Sequence, residues 1–487
     1  MNPEDRDDTL KAGARPAPAP AGEQDSASWE NTEHERFDED DRLKPEFVRA
    51  VRDALEAGEK DRVYDLVDPL HPADIADLFE LIDLDERPAL ARAISDQMSP
   101  EVIAELNDHV RELMVESLSA GTIAEIAEQL DTDDAVAMIE DLDEEDQKAV
   151  LAKMEPADRA AIETALSFRE ESAGRIMSRD FIAVPEHMTV GDLIDYLRDD
   201  FDLPTEFWEV FVVDPAHRPI GTCALSWILR AARTVALTDV MKRDQTLIPV
   251  TMDQEEVALR FQKYALISAA VVDGSGRLVG QITVDDVVHI IQEEAGEDAL
   301  LLSGAGEGDI NEPIRESYFS RVRWLIANLL TATLASFIIS QFEGTIERMV
   351  ALAALMPIVA GLGGNAGTQT LAVTVRALAT NQLTATNAWR AVRRELSIAL
   401  LNGATIAVVV GIAVSIIFSN MQLGGVIAVA MMANIVIAGL AGVLVPLTLD
   451  RLKADPAISS SIFVTMTTDS MGFLVFLGLA SMSGLVG

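Results

Sequence analysis

The sequence predicts a multidomain chain. An all-α acidic helical superhelix comes first, then a duplicated α/β pair, a connecting helix and an α-helical membrane domain with five transmembrane helices. Three observations predict this. Five apolar stretches crowd the last third of the 487 residues, each long enough to cross a bilayer or nearly so. A block near the middle of the chain recurs. Charge is also divided. The chain carries 80 acidic against 38 basic residues, a net of -42. From Phe319 onward nine basic residues meet six acidic ones, a net of +3, which leaves -45 for the 318 residues before it. A field of that sign repels nucleic acid and anionic lipid and attracts cations.

Residues 1–42 are rich in Pro, Ala and acid, a composition that predicts a disordered tail. Residues 43–170 read as short amphipathic helices. Ala73–Asp83, Gly121–Asp131 and Asp133–Asp143 each space apolar residues at helical intervals and end on Leu-Asp or Ile-Asp. Pro72, Pro100 and Pro156 mark helix starts, where a missing N–H costs nothing. The run Asp131, Asp133, Asp134, Asp141, Asp143, Glu144, Glu145 and Asp146 reads as a solvated acidic face, or as one that needs cations to pack.

The duplication spans residues 171–286. Met177-Ser178-Arg179-Asp180 with Pro185 and Met188 recurs 64 residues later as Met241-Lys242-Arg243-Asp244 with Pro249 and Met252. Val212-Val213-Asp214 with Ile220-Gly221 recurs at an offset of 59 as Val271-Val272-Asp273 with Val279-Gly280, which places a five-residue insertion near Asp202–Glu206. Each copy reads as a helix, two short strands joined by an acidic turn, and a second helix. Residues 287–323 follow as a connecting and juxtamembrane helix, broken by Gly304, Gly306 and Gly308 and restarted at Asn311-Glu312-Pro313. Cys223 is the one cysteine, so an intrachain disulfide and a thiolate metal site are excluded, which fits a reducing compartment. The first residues show no apolar signal region, so insertion is expected to be directed by the later spans.

The membrane domain, residues 324–487, has expected spans at Trp324–Ser340, Met349–Val375, Leu396–Phe418, Val426–Leu449 and Ala457–Leu485. Arg321, Arg323, Arg376, Arg390, Arg393, Arg394, Arg451 and Lys453 fall on one side of these spans. The positive-inside rule puts the N-terminus in the cytoplasm and the C-terminus outside a cell membrane. Asp469 is the lone charge in the last span, and an intramembrane carboxylate there costs about 2.5 kcal/mol or more. An ion pathway explains it; a structural pairing with Arg376 is the alternative. Span two holds Pro357 and Gly361, Gly363, Gly364 and Gly367, with Asn365 and Gln369 one turn apart. Interrupted backbone and side-chain amides at that depth suggest a pore lining, and close helix packing is the bland alternative. Thr465 and Thr468 add neutral oxygens beside Asp469. Few carboxylates with several neutral oxygens suit Mg2+, which sheds water reluctantly, and no Cys or His lies near to favour a softer metal; Mn2+, Co2+ and Ni2+ stay open on the same donors.

The duplicated pair resembles tandem CBS domains. The second copy has the Gly280, Ile282, Thr283, Asp286 ending, and the resemblance implies that Thr283 and Asp286 hold an adenine nucleotide such as ATP. The first copy lacks the matching Asp after Gly221. The whole chain after its tail resembles the MgtE family of magnesium transporters or channels. The motifs are Pro357 through Gly363-Gly364-Asn365-Ala366-Gly367-Thr368-Gln369, and Asp455-Pro456-Ala457 followed by Asp469 and Gly472. That resemblance implies a homodimer in the membrane lipid, a pore on its axis lined by Asp469 with Ser461 and Thr465, and closure by the connecting helices at high internal Mg2+. It implies Asp286, Glu294, Glu297, Asp298 and Asp455 as sensor acids, with His289 standing where similar chains carry another acid. Two rival functions stay open: a secondary transporter exchanging Na+ or H+ for a divalent cation, and a membrane-tethered nucleotide sensor without transport. No nucleophile–base pair or phosphate loop points to an enzyme.

Overall fold

The computed structural model describes residues 36–484 except 96, 116–117, 141, 200–202, 205–206 and 304–313. Residues 1–35 of the tail expected to be disordered over 1–42, most of the inserted segment near Asp202, the glycine break at 304–308, the restart at Asn311 and the acid Asp141 lie outside the described residues; the last part of that tail, 36–42, is described and carries a bridged turn. The chain divides into two compact units, one running to Leu130 and including Ala137–Pro156, the other comprising Asp131–Val136 and Ala157 onward.

The first unit is helical. Its helices are α1 (Pro45–Glu56), α2 (Lys60–Val67), α3 (Pro72–Leu81), α4 (Arg87–Ala93), α5 (Pro100–Ala104), α6 (Asp108–Val115) and α7 (Ala120–Ala127), then part of α8 (Thr132–Glu140) and α9 (Glu144–Leu151). Proline opens α3 and α5, as the sequence predicts, and α1 as well. His71 caps α3 through Nδ1, which accepts from the Ala73 amide, while Asp74 accepts from the His71 amide. Helices α1 to α6 bury their apolar stripes in one core around Phe47, Val51, Leu78, Phe79, Leu90 and Ile94, each fully buried side chain contributing about 1.5–3 kcal/mol. A turn closed by a Phe37–Leu43 bridge precedes α1.

In the second unit α10 (Pro156–Leu166) leads into two three-stranded sheets. The first copy contains β1 (Ala183–Pro185), α11 (Val190–Asp199), β2 (Glu209–Val213), β3 (Pro219–Ala224), α12 (Leu225–Arg230) and α13 (Leu237–Val240). The second contains β4 (Leu247–Pro249), α14 (Gln254–Tyr264), β5 (Ser268–Val272) and β6 (Leu278–Thr283). In both sheets the first strand pairs parallel with the second and the second antiparallel with the third, with the same irregularity beside Val213 and Val272. The sequence duplication is therefore a structural one, with a short strand added where Pro185 and Pro249 mark the start. The copies also cross-brace. Ser178 and Gln281 exchange two backbone hydrogen bonds of 2.9 Å, and Thr222 and Lys242 exchange a matching pair. Gly221 and Gly280 permit this approach, because a Cβ on either would stand 2.6–2.7 Å from the sulfur of Met241 or Met177.

The connecting helix α15 (Val284–Ser303) runs straight out of β6. Beyond it lie α16 (Ile314–Ser340), α17 (Glu343–Arg348), α18 (Ala351–Ala379), α19 (Ala388–Ile417), α20 (Met421–Arg451) and α21 (Pro456–Met482). Five of these are long and apolar enough to cross a membrane, matching the expected number and order. Their shared core joins Leu352, Leu355 and Val359 of α18, Met431 and Ile435 of α20, and Phe476 and Leu477 of α21. The expected interruption of span two does not occur: α18 is helical through Pro357 and all four glycines. Proline removes one bond near the helix start, and Gly363 and Gly367 serve close packing, while a Cβ on Gly361 or Gly364 would meet nothing within 4 Å. Gly367 lies against Val464 and Thr468, and Gly442 of α20 against Gly367 and Thr370.

Candidate functional site

Three groups of polar side chains stand out in the second unit. The first surrounds the middle of α15. Glu294 accepts a 2.9 Å hydrogen bond from Gln254 Nε2 at the start of α14. The next residue, Glu255, is half-buried, and burial followed by the charges of Glu294, Asp298, Asp253 and Asp455 pushes its carboxyl up to about 7. Burial and then Glu294, Glu171, Asp455 and Glu293 push Glu297 up to about 7 as well. Asp298 is raised by burial and by Asp455, and Glu294 by burial against the opposing bond from Gln254. Asp455 caps α21, accepting from the Ala457 amide at 2.7 Å. The acids of α14 and α15 are thus held where neighbouring acids, Asp455 at the start of α21 among them, disfavour their charge.

The second group lies at the other end of α15. Thr283 donates its hydroxyl to Asp286 at 2.8 Å, and its amide reaches the same oxygen at 3.3 Å. Asp133, at the start of α8, faces this carboxylate. Its Oδ1 is sealed from solvent and has no hydrogen-bond partner. Burial, then the charges of Asp286, Asp134 and Asp131, raises its carboxyl well above the ordinary range. Burial also raises Asp286, with the Thr283 bond and nearby His289 pulling the other way. Asp133 is therefore not on a solvated face, one of the two readings its acidic run allowed; tertiary packing turns its carboxylate inward. Among the described residues no three Asp, Glu, His or Cys side chains converge tightly enough to form a ready-made metal cage.

The third group is in the membrane domain. Asp469 on α21 is half-buried, and among the described residues its carboxylate meets no hydrogen-bond donor and no guanidinium. The pairing with Arg376 weighed from sequence is not formed. Thr465 is part-buried one turn away, and its carbonyl accepts from the Thr468 hydroxyl at 3.0 Å. Thr468 itself is fully buried against Gly367. Gln369 lines a cavity of about 170 Å³ between α18, α19 and α20, with Arg394, Glu395 and Asn402.

A family model described as the MgtE intracellular N domain matches residues 70–171, a CBS domain model matches 237–293, and MgtE, described as a divalent cation transporter, matches 356–479. The magnesium transporter MgtE of Enterococcus faecalis is 31% identical over 321 residues, covering 66% of this chain and 71% of the relative. That of Thermus thermophilus is 32% identical over 327 residues, covering 66% and 72%. The chain belongs to the MgtE family. Its soluble part is similar to a crystal structure of the cytosolic domain of the Mg2+ channel MgtE in complex with ATP, at 26% identity, 50% of this chain, 99% of that one and a TM-score of 0.46.

In this MgtE chain the structure brings together four of the expected sensor acids, Glu294, Glu297, Asp298 and Asp455, and places Asp286 apart from them with Asp133. It adds Glu255, which sequence reasoning missed. Of the expected pore group, Thr465 stands one turn from Asp469; Gly367 of α18 packs against Val464 and Thr468 of α21, while Asn365 and Gln369, each two residues from Gly367, stand about 200° around the helix and are exposed in the single chain. Thr468 packs rather than lines a wet surface.

Proposed function

We propose that this MgtE chain carries magnesium across the cell membrane, that Asp469 is the ion-facing group, and that internal Mg2+ closes the path through the acids of α15. The observation that carries the reading is the double attachment of α15. Its acids share one electrostatic cluster with Glu255 and Asp455. One turn further on, Leu301 and Leu302 pack against Leu371, Val375, Ala441, Ala457 and Val464 at the ends of three spans. One rigid helix therefore ties a cation-hungry cluster to the membrane helices.

The donor set suits a divalent cation. Every acid in the cluster offers carboxylate oxygen, and Glu255, Glu297 and Asp298 lie among like charges that raise them. A cation shared among Glu255, Glu294, Glu297, Asp298 and Asp455 supplies positive charge. The acids then favour the packed arrangement, and Leu301 and Leu302 stay seated. Without it, like charges push α14, α15 and the start of α21 apart. An ion can shift this balance only by binding the packed state better than the open one. Asp286 is committed to Thr283 and faces Asp133, which favours a cation role over a nucleotide role there. Two protomers side by side would present two Asp469 carboxylates to one hydrated ion, with the α15 helices on the cytoplasmic side.

Uptake in liposomes tests the reading. Asp469→Asn should reduce Mg2+ flux at least about a hundredfold while the protein stays folded; normal flux would remove Asp469 from the path. Flux that needs an imposed Na+ or H+ gradient would instead favour exchange transport.

A further inference from the structure

Asn434, midway along α20, is completely sealed from solvent. Its Nδ2 donates to the Val359 carbonyl on α18 at 2.9 Å. Its head fills the room left by two absent side chains: a Cβ on Gly363 of α18 would stand 2.2 Å from Nδ2, and one on Gly472 of α21 would stand 2.8 Å from Nδ2 and 2.9 Å from Oδ1. The Oδ1 accepts no hydrogen bond. Three membrane helices thus meet on one amide.

Space filling alone does not call for an amide. Leucine has the same branching and leaves no buried acceptor unpaired, and such exchanges are often neutral or stabilising. What leucine cannot do is hold the Val359 carbonyl. Val359 lies two residues beyond Pro357; the proline leaves the Ala353 carbonyl, not that of Val359, without its helical donor, so the Asn434 bond is an extra one that ties α18 to α20. Gly472 lies three residues, about one turn, beyond Asp469 on α21. We infer that Asn434 is a positioning residue: its bond to Val359, made while wedged against Gly472, fixes the axial register of α18 against the part of α21 that carries Asp469. It touches no ion. It decides how far the ion-facing carboxylate stands from the backbone and side chains of α18, and hence which hydrated cation fits between them. The inference rests on Asp469 being the ion-facing group.

The test compares Mg2+ and Ca2+ flux in liposomes holding the full-length protein, with thermal melting of the same samples. Asn434→Leu should melt within a few degrees of the parent, yet its Mg2+ to Ca2+ flux ratio should fall about tenfold, since sub-ångström misplacement of a working group has effects of that order. An unchanged ratio overturns the inference. Should Asn434→Leu fail to fold, Asn434→Ala alone and combined with Gly472→Ala decides. The added methyl returns volume but not the bond, so a ratio that stays low supports positioning and a restored ratio overturns it. Asp469→Asn runs in parallel. If that variant keeps normal flux, the pore reading falls with whatever Asn434 does; if it loses flux while Asn434→Leu keeps the parent ratio, only the positioning role falls.

Discussion

An unpartnered carboxylate oxygen in a dry place is unstable unless something positive joins it, and Asp133 is such a group. Asp133→Asn keeps its shape and removes its charge. In magnesium-free buffer this variant should be more stable by about 1–2 kcal/mol, and it should gain less from added Mg2+ than the parent does. Denaturation midpoints with and without Mg2+ measure both effects; equal Mg2+ gains in the two proteins would remove Asp133 from any cation site. Asp133 was visible in the sequence only as one acid of a run, because spacing along a helix says nothing of the α15 start that it meets. Glu255 did leave a trace. At the 64-residue offset the second copy carries Glu255 where the first carries Gly191, and an acid present in one copy alone is what a site used once would leave. Asp469 was legible because a lone charge in an apolar run needs no partner to be noticed.

Elements were easier to read than contacts. The five spans are all present, but four extend beyond their apolar windows. Helix α19 begins at Ala388 rather than near Leu396, because Arg390, Arg393 and Arg394 stay helical outside the apolar zone. The interruption expected at Pro357 is missing because glycine and proline have two meanings in a membrane helix, and sequence alone does not choose between a break and a notch. The notch is decided by what packs into it, here Asn434, Val464 and Thr468. Helix α15 is where element and function meet. Leu301 and Leu302 are part-buried, so replacing both with Ala should remove about 1–2 kcal/mol of packing, enough to raise the Mg2+ needed for half closure about five- to thirtyfold. Flux against internal Mg2+ measures this, and an unchanged closing concentration would mean that α15 does not hold the spans through these leucines.

The acids of α14, α15 and α21 make the whole molecule sensitive to protons as well as to magnesium. Glu255 and Glu297 titrate at about 7 in the packed arrangement, against an ordinary value of 4.5. Their folded pKa values are raised, so the packed state binds more protons than the separated one between those values. Packing is therefore most favourable below the ordinary value, weakens as pH rises through the window, and is least favourable above about 7, where both acids are charged. A cation acts with the opposite slope, because it binds the ionised acids and competes with protons. At low internal Mg2+, flux should thus be smaller at an internal pH of about 5.5 than at about 7.5, while the Mg2+ needed for half closure should fall as pH rises over the same range. Glu255→Gln with Glu297→Gln should flatten both dependences, since neither amide titrates, and, because the amides also remove the repulsion, should hold the magnesium-free flux near the parent's low-pH value at every pH. Flux in liposomes with clamped lumenal pH checks both: the closing concentration is read against the magnesium-free rate at each pH, and the magnesium-free rate itself is compared between the parent and the double variant, which share Asp469. A closing concentration that does not move across the window would show that protons and magnesium do not share these carboxylates, and the coupling of cluster to membrane helices through α15 would then have to rest on Asp133 and Asp286 alone.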